Sequence, residues 1–320
     1  MDFIAAEQRI RAHVRETPLA HSRVLSEASG ANVFLKLDNL QEIGAFKIRG
    51  AANKLLLLPR EQAARGVVAA SNGNHALAVA TIGKKLGIPV EVFVSEHIGP
   101  ARRTRIESLG AAVRTVEGDP LLAEQTARRA AERSGRTYVS PYNDLEVVEG
   151  QGTIAVEILR QLAQIAVKKL HAVFVAVGGG GLIGGTGLHL KSAAPAAEVV
   201  ACWPENSAAL YECLRAGKVI DVAEQATLSV STAGGIEEGA VTLEIARQVI
   251  DRSVLVSEAE ILQAARRVWR GDGQLIEGAA AVAVAAMIKS ASDCTGKTVV
   301  IVICGGNADP ALAAQIKGTG

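Results

Sequence analysis

Short apolar runs alternate along this chain with stretches whose apolar residues recur three or four positions apart, a pattern that predicts strands separated by helices. Gly66-Val-Val-Ala-Ala70, Pro89-Val-Glu-Val-Phe-Val94 and Ala111-Ala-Val-Arg-Thr-Val116 read as three strands with helices between them, one covering 76–86. They form one compact unit over about 42–142. A second series follows, with a long helix from 145 to about 168, a strand at 171–177, a helix from 182 and a strand at 198–203. Near the end, Ser257-Glu-Ala-Glu260 is a capping box opening a helix to about 270. A helix over 277–289 and a strand over 298–304 complete the series, and only a short tail follows, without room for a regulatory domain. The alternation argues for an α/β fold of mostly parallel sheets with helices on both faces.

Composition narrows the class. A chain of 320 residues, 49% hydrophobic but only 3% aromatic, predicts two domains with cores built mainly from Ala, Val, Leu and Ile. The net charge of +1 gives no reason to expect nucleic acid or an anionic membrane as partner. Cys202, Cys213, Cys294 and Cys304 show neither a Cys-x-x-Cys pair nor zinc spacing, which points to a reducing, cytoplasmic setting. No signal peptide stands out, and the apolar stretch at 279–287 is too short to span a bilayer.

Chemistry enters with Gly44-Ala-Phe-Lys47-Ile-Arg-Gly-Ala51, where a lysine stands between apolar neighbours just before a helix-like run at 51–58. Desolvation disfavours an ammonium, so such an amine loses its proton near neutral pH and suits capture of a carbonyl cofactor. A solvated lysine lying along a helix is the plain alternative, and the lysine's company decides between them.

That company is three loops, each following directly on an expected strand: Ser71-Asn-Gly-Asn-His75, Gly178-Gly-Gly-Gly181 and Cys304-Gly-Gly-Asn307. Open parallel sheets bind ligands beyond the carboxyl ends of their strands. The glycine quartet lets backbone N–H groups approach an anion, and the helix from Leu182 adds its positive end. Gly179-x-Gly181-x-x-Gly184 also satisfies a dinucleotide fingerprint, with Glu205 about 20 residues on, so phosphate-cofactor and dinucleotide readings both stand at this point. No Walker lysine follows. Asn74 can donate its amide to a phenolate or carboxylate or else cap a helix, while Ser71 and the loop N–H groups suit a substrate carboxylate. His75 reads as a packed or capping histidine rather than a base. Cys304 reads as a core thiol or a weak S–H donor to a ring nitrogen.

With these residues assembled, the chain resembles the fold-type II pyridoxal-phosphate enzymes, in the serine/threonine dehydratase branch that includes serine racemases. The resemblance runs nearly the whole length, through Glu16-Thr-Pro-Leu19, Lys36-Leu-Asp-Asn-Leu-Gln41, the lysine segment, the three loops, Tyr138-Val-Ser-Pro-Tyr-Asn-Asp144 and Glu149-Gly-Gln-Gly-Thr153. It implies a two-domain, tryptophan synthase β-like architecture, with 1–41 and 143–320 as the large cofactor-binding domain and 42–142 as the small one. It implies pyridoxal 5'-phosphate held by Lys47, Phe46, Asn74, Gly178, Gly179, Gly180, Gly181, Leu182 and Cys304, with Glu277 near the ring or acting as a helix-start acid. Substrate is expected at Ser71, Asn72, Gly73 and His75. The implied activity is dehydration of a β-hydroxy amino acid to a 2-oxo acid and ammonia, with Lys47 as base, in a homodimer.

Departures from the branch refine this. Asn72 stands where its racemases carry a serine acid, which disfavours racemisation. Trp203 and Ala209 stand where it carries a glutamate and an aspartate, so no divalent-metal site is expected. Ala45, Leu77 and Thr232-Ala-Gly-Gly-Ile236 each replace more polar residues, predicting room for a bulkier β-substituent such as that of phenylserine; the resemblance also implies a hydroxyaspartate-type dehydratase as a candidate. The alternatives are a cysteine synthase-like β-replacement enzyme, an NAD(P)-dependent oxidoreductase resting on the glycines and Glu205, and a catalytically silent binding protein.

Overall fold

The valine- and alanine-rich runs assemble into two sheets. In the computed structural model, which describes residues 1–118 and 120–318, the strands are β1 (Leu19–His21), β2 (Asn32–Lys36), β3 (Val67–Ala70), β4 (Val90–Ser95) and β5 (Ala112–Val116). They continue with β6 (Thr137–Tyr138), β7 (Ala172–Ala176), β8 (Glu198–Pro204), β9 (Arg252–Val256) and β10 (Thr298–Val302). The larger sheet has the order β1-β2-β10-β7-β8-β9, and the smaller β5-β4-β3-β6. Among the described residues, only the β1–β2 strand pair is antiparallel, and every other pair of neighbouring strands runs parallel. Parallel strands buried on both faces need unbroken apolar runs, and Thr-Val-Val-Ile-Val in β10 and Ala-Val-Phe-Val-Ala in β7 supply them.

The larger core lies between this six-stranded sheet and its helices. It includes the Gly278–Lys289 helix, whose Ala and Val side chains are buried on every face against β7, β8, β10 and the Glu258–Asp272 helix. The latter opens with the expected capping box of Ser257 and Glu260. A second core joins the smaller sheet to the Lys47–Leu56 and Asn74–Leu86 helices.

Several boundaries differ from expectation. The helix expected over 51–58 runs Lys47–Leu56, so Lys47 is its first residue. The helix expected to reach 168 ends at Gln164, because Ile165 leaves helical geometry and Ala166 turns into the left-handed region at φ 59°. The last strand stops at Val302. Beyond it, the Cys304 carbonyl accepts from Phe46 N (2.9 Å) and Gly306 N donates to Gly44 O (2.9 Å), which pins the lysine segment against the C-terminal loop. The tail contains a further helix, Pro310–Lys317. Strands β1, β2, β6 and β9 were not anticipated.

One buried polar network ties the lysine helix to the large sheet. The Arg49 guanidinium, fully buried, donates to Asp38 at 2.6 and 2.8 Å and to Glu157 at 2.8 and 2.8 Å. Lys36, equally buried, pairs with Glu157 at 2.6 Å and donates to Thr17 O at 2.7 Å. Arg49 is held well above its ordinary range by the two carboxylates, and Glu157 well below its own by Arg49 and Lys36.

Candidate active site

The loops after β3, β7 and β10 open into one cavity of about 300 Å³, and every site residue expected from the sequence lines it. Lys47, Phe46 and Cys304 share its wall with Ser71, Asn72, Gly73, Asn74 and His75, and with Gly178, Gly179, Gly180, Gly181, Leu182 and Glu277. The sequence spreads these residues from Phe46 to Cys304, and the order of the strands and the helix starts packed beside them collects them.

Lys47 enters the cavity from the first turn of its helix. Its Nζ donates to Pro141 O at 2.7 Å and lies 5.2 Å from the Phe46 ring centroid. Burial pulls the amine from its usual 10.5 down to about 8, against the opposing pull of Glu124, Cys304 and Glu277.

The glycine quartet is dictated by packing as much as by turn geometry. A Cβ at Gly179 would stand 2.3 Å from the Tyr142 ring, and one at Gly178 would stand 2.8 Å from Thr232 O. Gly180, at φ +87°, is the left-handed residue preceding the Gly181–Ala193 helix. The first N–H groups of that helix have no intrahelical partner, so the turn presents bare donors and a helix N-terminus to the cavity.

Asn74 does not cap its helix with its side chain. Its amide donates to both Glu277 oxygens at 3.1 Å, and its carbonyl accepts from Asn307 Nδ2 at 2.7 Å. Glu277 occupies the N-cap position of the Gly278–Lys289 helix without a side-chain cap bond, so its carboxyl is free to face the cavity beside Cys304. Burial raises it, offset by hydrogen bonds from Asn74, Ser231 and the Asn307 backbone. Burial also pushes the Cys304 thiol well up, so it stays protonated and neutral. His75 is held neutral: burial and the Lys47 charge push it down to about 3, and Nε2 meets Val139 O at 2.8 Å while Nδ1 has no partner. Asn72 is tethered to β4, donating to Ser95 Oγ (2.6 Å) and accepting from Ser95 N (2.9 Å). Ser71 Oγ accepts from Gly73 N at 3.0 Å.

Two expectations are corrected. Ala45 and Leu77 are packed in the second core and line no part of the cavity, so their loss of polarity does not widen it; of the three departures, only the 232–235 loop faces it. Glu205, the ribose acid of the dinucleotide reading, is exposed and lies 3.6 Å from Lys289, away from the glycine turn. Among the described residues, no three His, Cys, Asp or Glu side chains come together to hold a metal ion, and no helix is long and apolar enough to cross a membrane.

The site also contains residues that sequence reading missed. Glu124, from the Pro120–Ser134 helix, lines the cavity and is raised to about 7 by burial and the nearby Glu237 charge; the Glu237 oxygens accept from Arg128 at 2.8 and 2.6 Å and from Asn143 at 2.8 Å. Tyr142 packs on the glycines, and its hydroxyl accepts from Glu237 N at 2.9 Å. The Tyr138–Asp144 motif was the one available signal for Tyr142; none existed for Glu124.

A buried amine of lowered pKa, facing a cradle of main-chain donors across the carboxyl ends of parallel strands, defines a class: enzymes that hold a phosphorylated aldehyde. The chain belongs to the pyridoxal-phosphate-dependent enzyme family, whose profile matches residues 10–305. It is 39% identical to an L-threonine ammonia-lyase of Thermotoga maritima over all of this chain and 78% of that one. It is 34% identical to a beta-hydroxyaspartate dehydratase of Paracoccus denitrificans, covering 96% of both. Among solved structures, a serine racemase from Dictyostelium discoideum superposes with a TM-score of 0.87 at 30% identity, covering 96% of this chain and 97% of that one. The fold is therefore that of the type II pyridoxal-phosphate enzymes.

Proposed function

We propose that the protein is a pyridoxal-phosphate-dependent ammonia-lyase that dehydrates β-hydroxy-α-amino acids to a 2-oxo acid and ammonia by α,β-elimination. The observation that carries this reading is the Lys47 amine, at about 8, sharing one cavity with the four-glycine turn. The likeness to an L-threonine ammonia-lyase and a beta-hydroxyaspartate dehydratase supports it.

The residues fit the cofactor. Gly178 to Leu182 would hold its phosphate, Lys47 its aldehyde carbon, Asn74 its ring oxygen and Cys304 its ring nitrogen, with Phe46 and Glu277 alongside. Bound, pyridoxal phosphate supplies an electron sink for the pair left on the substrate α-carbon. Lys47 Nζ takes the α-proton. Ser71, Asn72, Gly73 and the helix start at Asn74 orient the substrate carboxylate, with His75 as a neutral wall. A protonated Cys304 carries no charge with which to enforce ring protonation, which favours prompt loss of a β-substituent.

The nearest atoms that a Cβ at Gly179 would meet belong to the Tyr142 ring, at 2.3 to 2.8 Å. Gly179→Ala should destabilise the fold by about 1–3 kcal/mol and raise the cofactor's dissociation constant at least about tenfold, read by equilibrium dialysis.

Within the class, a small polar β-substituent suits this cavity better than phenyl, because an aromatic ring would desolvate the Glu124 carboxyl without pairing it. Ammonia release from L-serine, L-threonine, β-hydroxyaspartate and L-threo-phenylserine tests both levels. Turnover of none of them, or formation of a β-thio amino acid with added thiol and no release of ammonia, would refute the dehydratase reading. A preference for phenylserine would refute the side-chain assignment. Four free, buried cysteines support a reducing, cytoplasmic setting. The homodimer rests on the family resemblance and is read by sedimentation.

A further inference from the structure

The Cys304-Gly-Gly-Asn307 loop ends on a side-chain amide whose two ends are each met by partners of one polarity. Asn307 Nδ2 lies 2.8 Å from Ile43 O and 2.7 Å from Asn74 Oδ1. A peptide carbonyl only accepts, so the atom facing Ile43 is the nitrogen, and its second hydrogen goes to Asn74. At the other end stands the Arg105 guanidinium of the Pro100–Ser108 helix, which only donates. It approaches Asn307 Oδ1 at 3.5 Å and Ile43 O at 3.4 Å. Turning the Asn307 amide over would set its oxygen against the Ile43 carbonyl and its nitrogen against the guanidinium. The sense of this amide is fixed by groups that cannot change theirs.

The consequence falls on Asn74, whose amide could otherwise present either atom to the cavity. With Oδ1 held by Asn307, Nδ2 faces the Glu277 carboxyl, 3.1 Å from each oxygen. Glu277 alone would not impose this orientation. Burial raises its carboxyl, and a protonated carboxyl can donate as well as accept. The Asn307 amide does not titrate.

Glycines clear the space for these side chains. Gly44, left-handed at φ +79°, would carry a Cβ 2.6 Å from Asn307 Oδ1, and Gly305 would carry one 2.6 Å from the Glu277 carboxyl. The loop that pins the lysine segment therefore also sets the polarity of the amide beside the cofactor site.

We propose that Asn307 is a positioning residue, which holds the Asn74 carbonyl so that the Asn74 N–H groups are the ones offered to the ring oxygen of the cofactor. The inference rests on the reading that puts Asn74 at that oxygen. Asn74 Nδ2 carries two hydrogens, one for the ring oxygen and one for Glu277. A donor at the ring oxygen favours its ionised form, whereas the amide carbonyl in the same place would repel it.

Asn307→Asp tests this, because it keeps the shape of the side chain and leaves it only acceptors. Asn74 should then turn its nitrogen toward the new carboxylate and its carbonyl toward the ring oxygen. The holoenzyme's cofactor dissociation constant, read by equilibrium dialysis, should rise about tenfold to a hundredfold, the loss of one hydrogen bond to a charged group. The visible band of the bound cofactor should lose intensity to a band in the near ultraviolet, since the ring oxygen without its donor keeps a proton. Asn74→Ala should produce both changes. The double variant should match Asn74→Ala within about threefold, because Asn307 acts only through Asn74. Losses that add in the double variant, or an Asn307→Asp enzyme with wild-type retention and spectrum, would overturn the proposal. If Asn307→Asp fails to fold, Asn307→Ala at this half-buried position decides in its place. It must weaken retention and shift the spectrum in the same direction, and wild-type values for both reject the proposal. A wild type that holds no cofactor, or an Asn74→Ala enzyme unchanged in retention and spectrum, would overturn the reading of Asn74 and the proposal with it.

Discussion

Lys47→Ala abolishes turnover, with kcat falling by about 10³-fold or more, because one residue supplies both the cofactor's anchor and the base at the α-carbon. Purified wild type should be yellow, and borohydride should fix the colour onto a single peptide containing Lys47. The variant should yield no labelled peptide. Activity above about a tenth of wild type would remove Lys47 from the mechanism. The pH dependence follows from the direction of the shift. Burial lowers the amine from 10.5 to about 8, so in the apoprotein the unprotonated form needed for attack grows as pH rises and levels off above about 8. At pH 7 about a tenth of the amine is neutral, against about one part in 3,000 for an unshifted lysine. Covalent capture of added cofactor by the apoprotein should therefore quicken about tenfold per pH unit below 7 and flatten past 8. A rate still climbing steeply at pH 10 would mean that the amine is not desolvated.

Arg49→Leu should be the most damaging single change outside the cavity. It removes the central cation from a fully buried set in which Arg49 serves both Asp38 and Glu157. Lys36 and Arg11 remain on Glu157, but Asp38 keeps only the Thr17 hydroxyl, at 2.6 Å. Breaking a buried pair from one side costs about 3–5 kcal/mol, since the orphaned charge stays out of water. At this chain length, that corresponds to a midpoint lowered by roughly 4–7 °C. Arg49 lies two residues after Lys47 on the same helix, so loosening it should also weaken cofactor retention. Thermal unfolding by circular dichroism and dialysis of the holoenzyme read the two effects. A change below about 1 kcal/mol would show the network to be neutral, as a well-packed apolar substitute sometimes is.

How much of this was legible in the residues is uneven. Ser71 to His75, Gly178 to Leu182 and Cys304 could be grouped beforehand because each follows an apolar run and parallel strands bring such ends together, while Lys47 stood out through its apolar neighbours. β2 escaped notice because its run closes on Lys36, a charged residue that is tolerated at full burial only because Glu157 meets it there. Ala45 and Leu77 were expected near the substrate but are packed in the second core, Ala45 from the short segment before the Lys47–Leu56 helix and Leu77 from the first turn of the Asn74–Leu86 helix. Glu124 and Glu237 were unreadable, being ordinary acids on a helix and a loop 113 positions apart.

Local chemistry in the chain thus determined which backbone was bare, which amine had apolar neighbours and which runs were buried strands. Those properties depend on neighbours within a few residues. Tertiary structure alone decided which carboxyl faces that amine, which polar substitutions touch the cavity and which charges are paired in the core. Electrostatic coupling and burial depend on distance in space, and nothing in the linear order of residues encodes that distance directly.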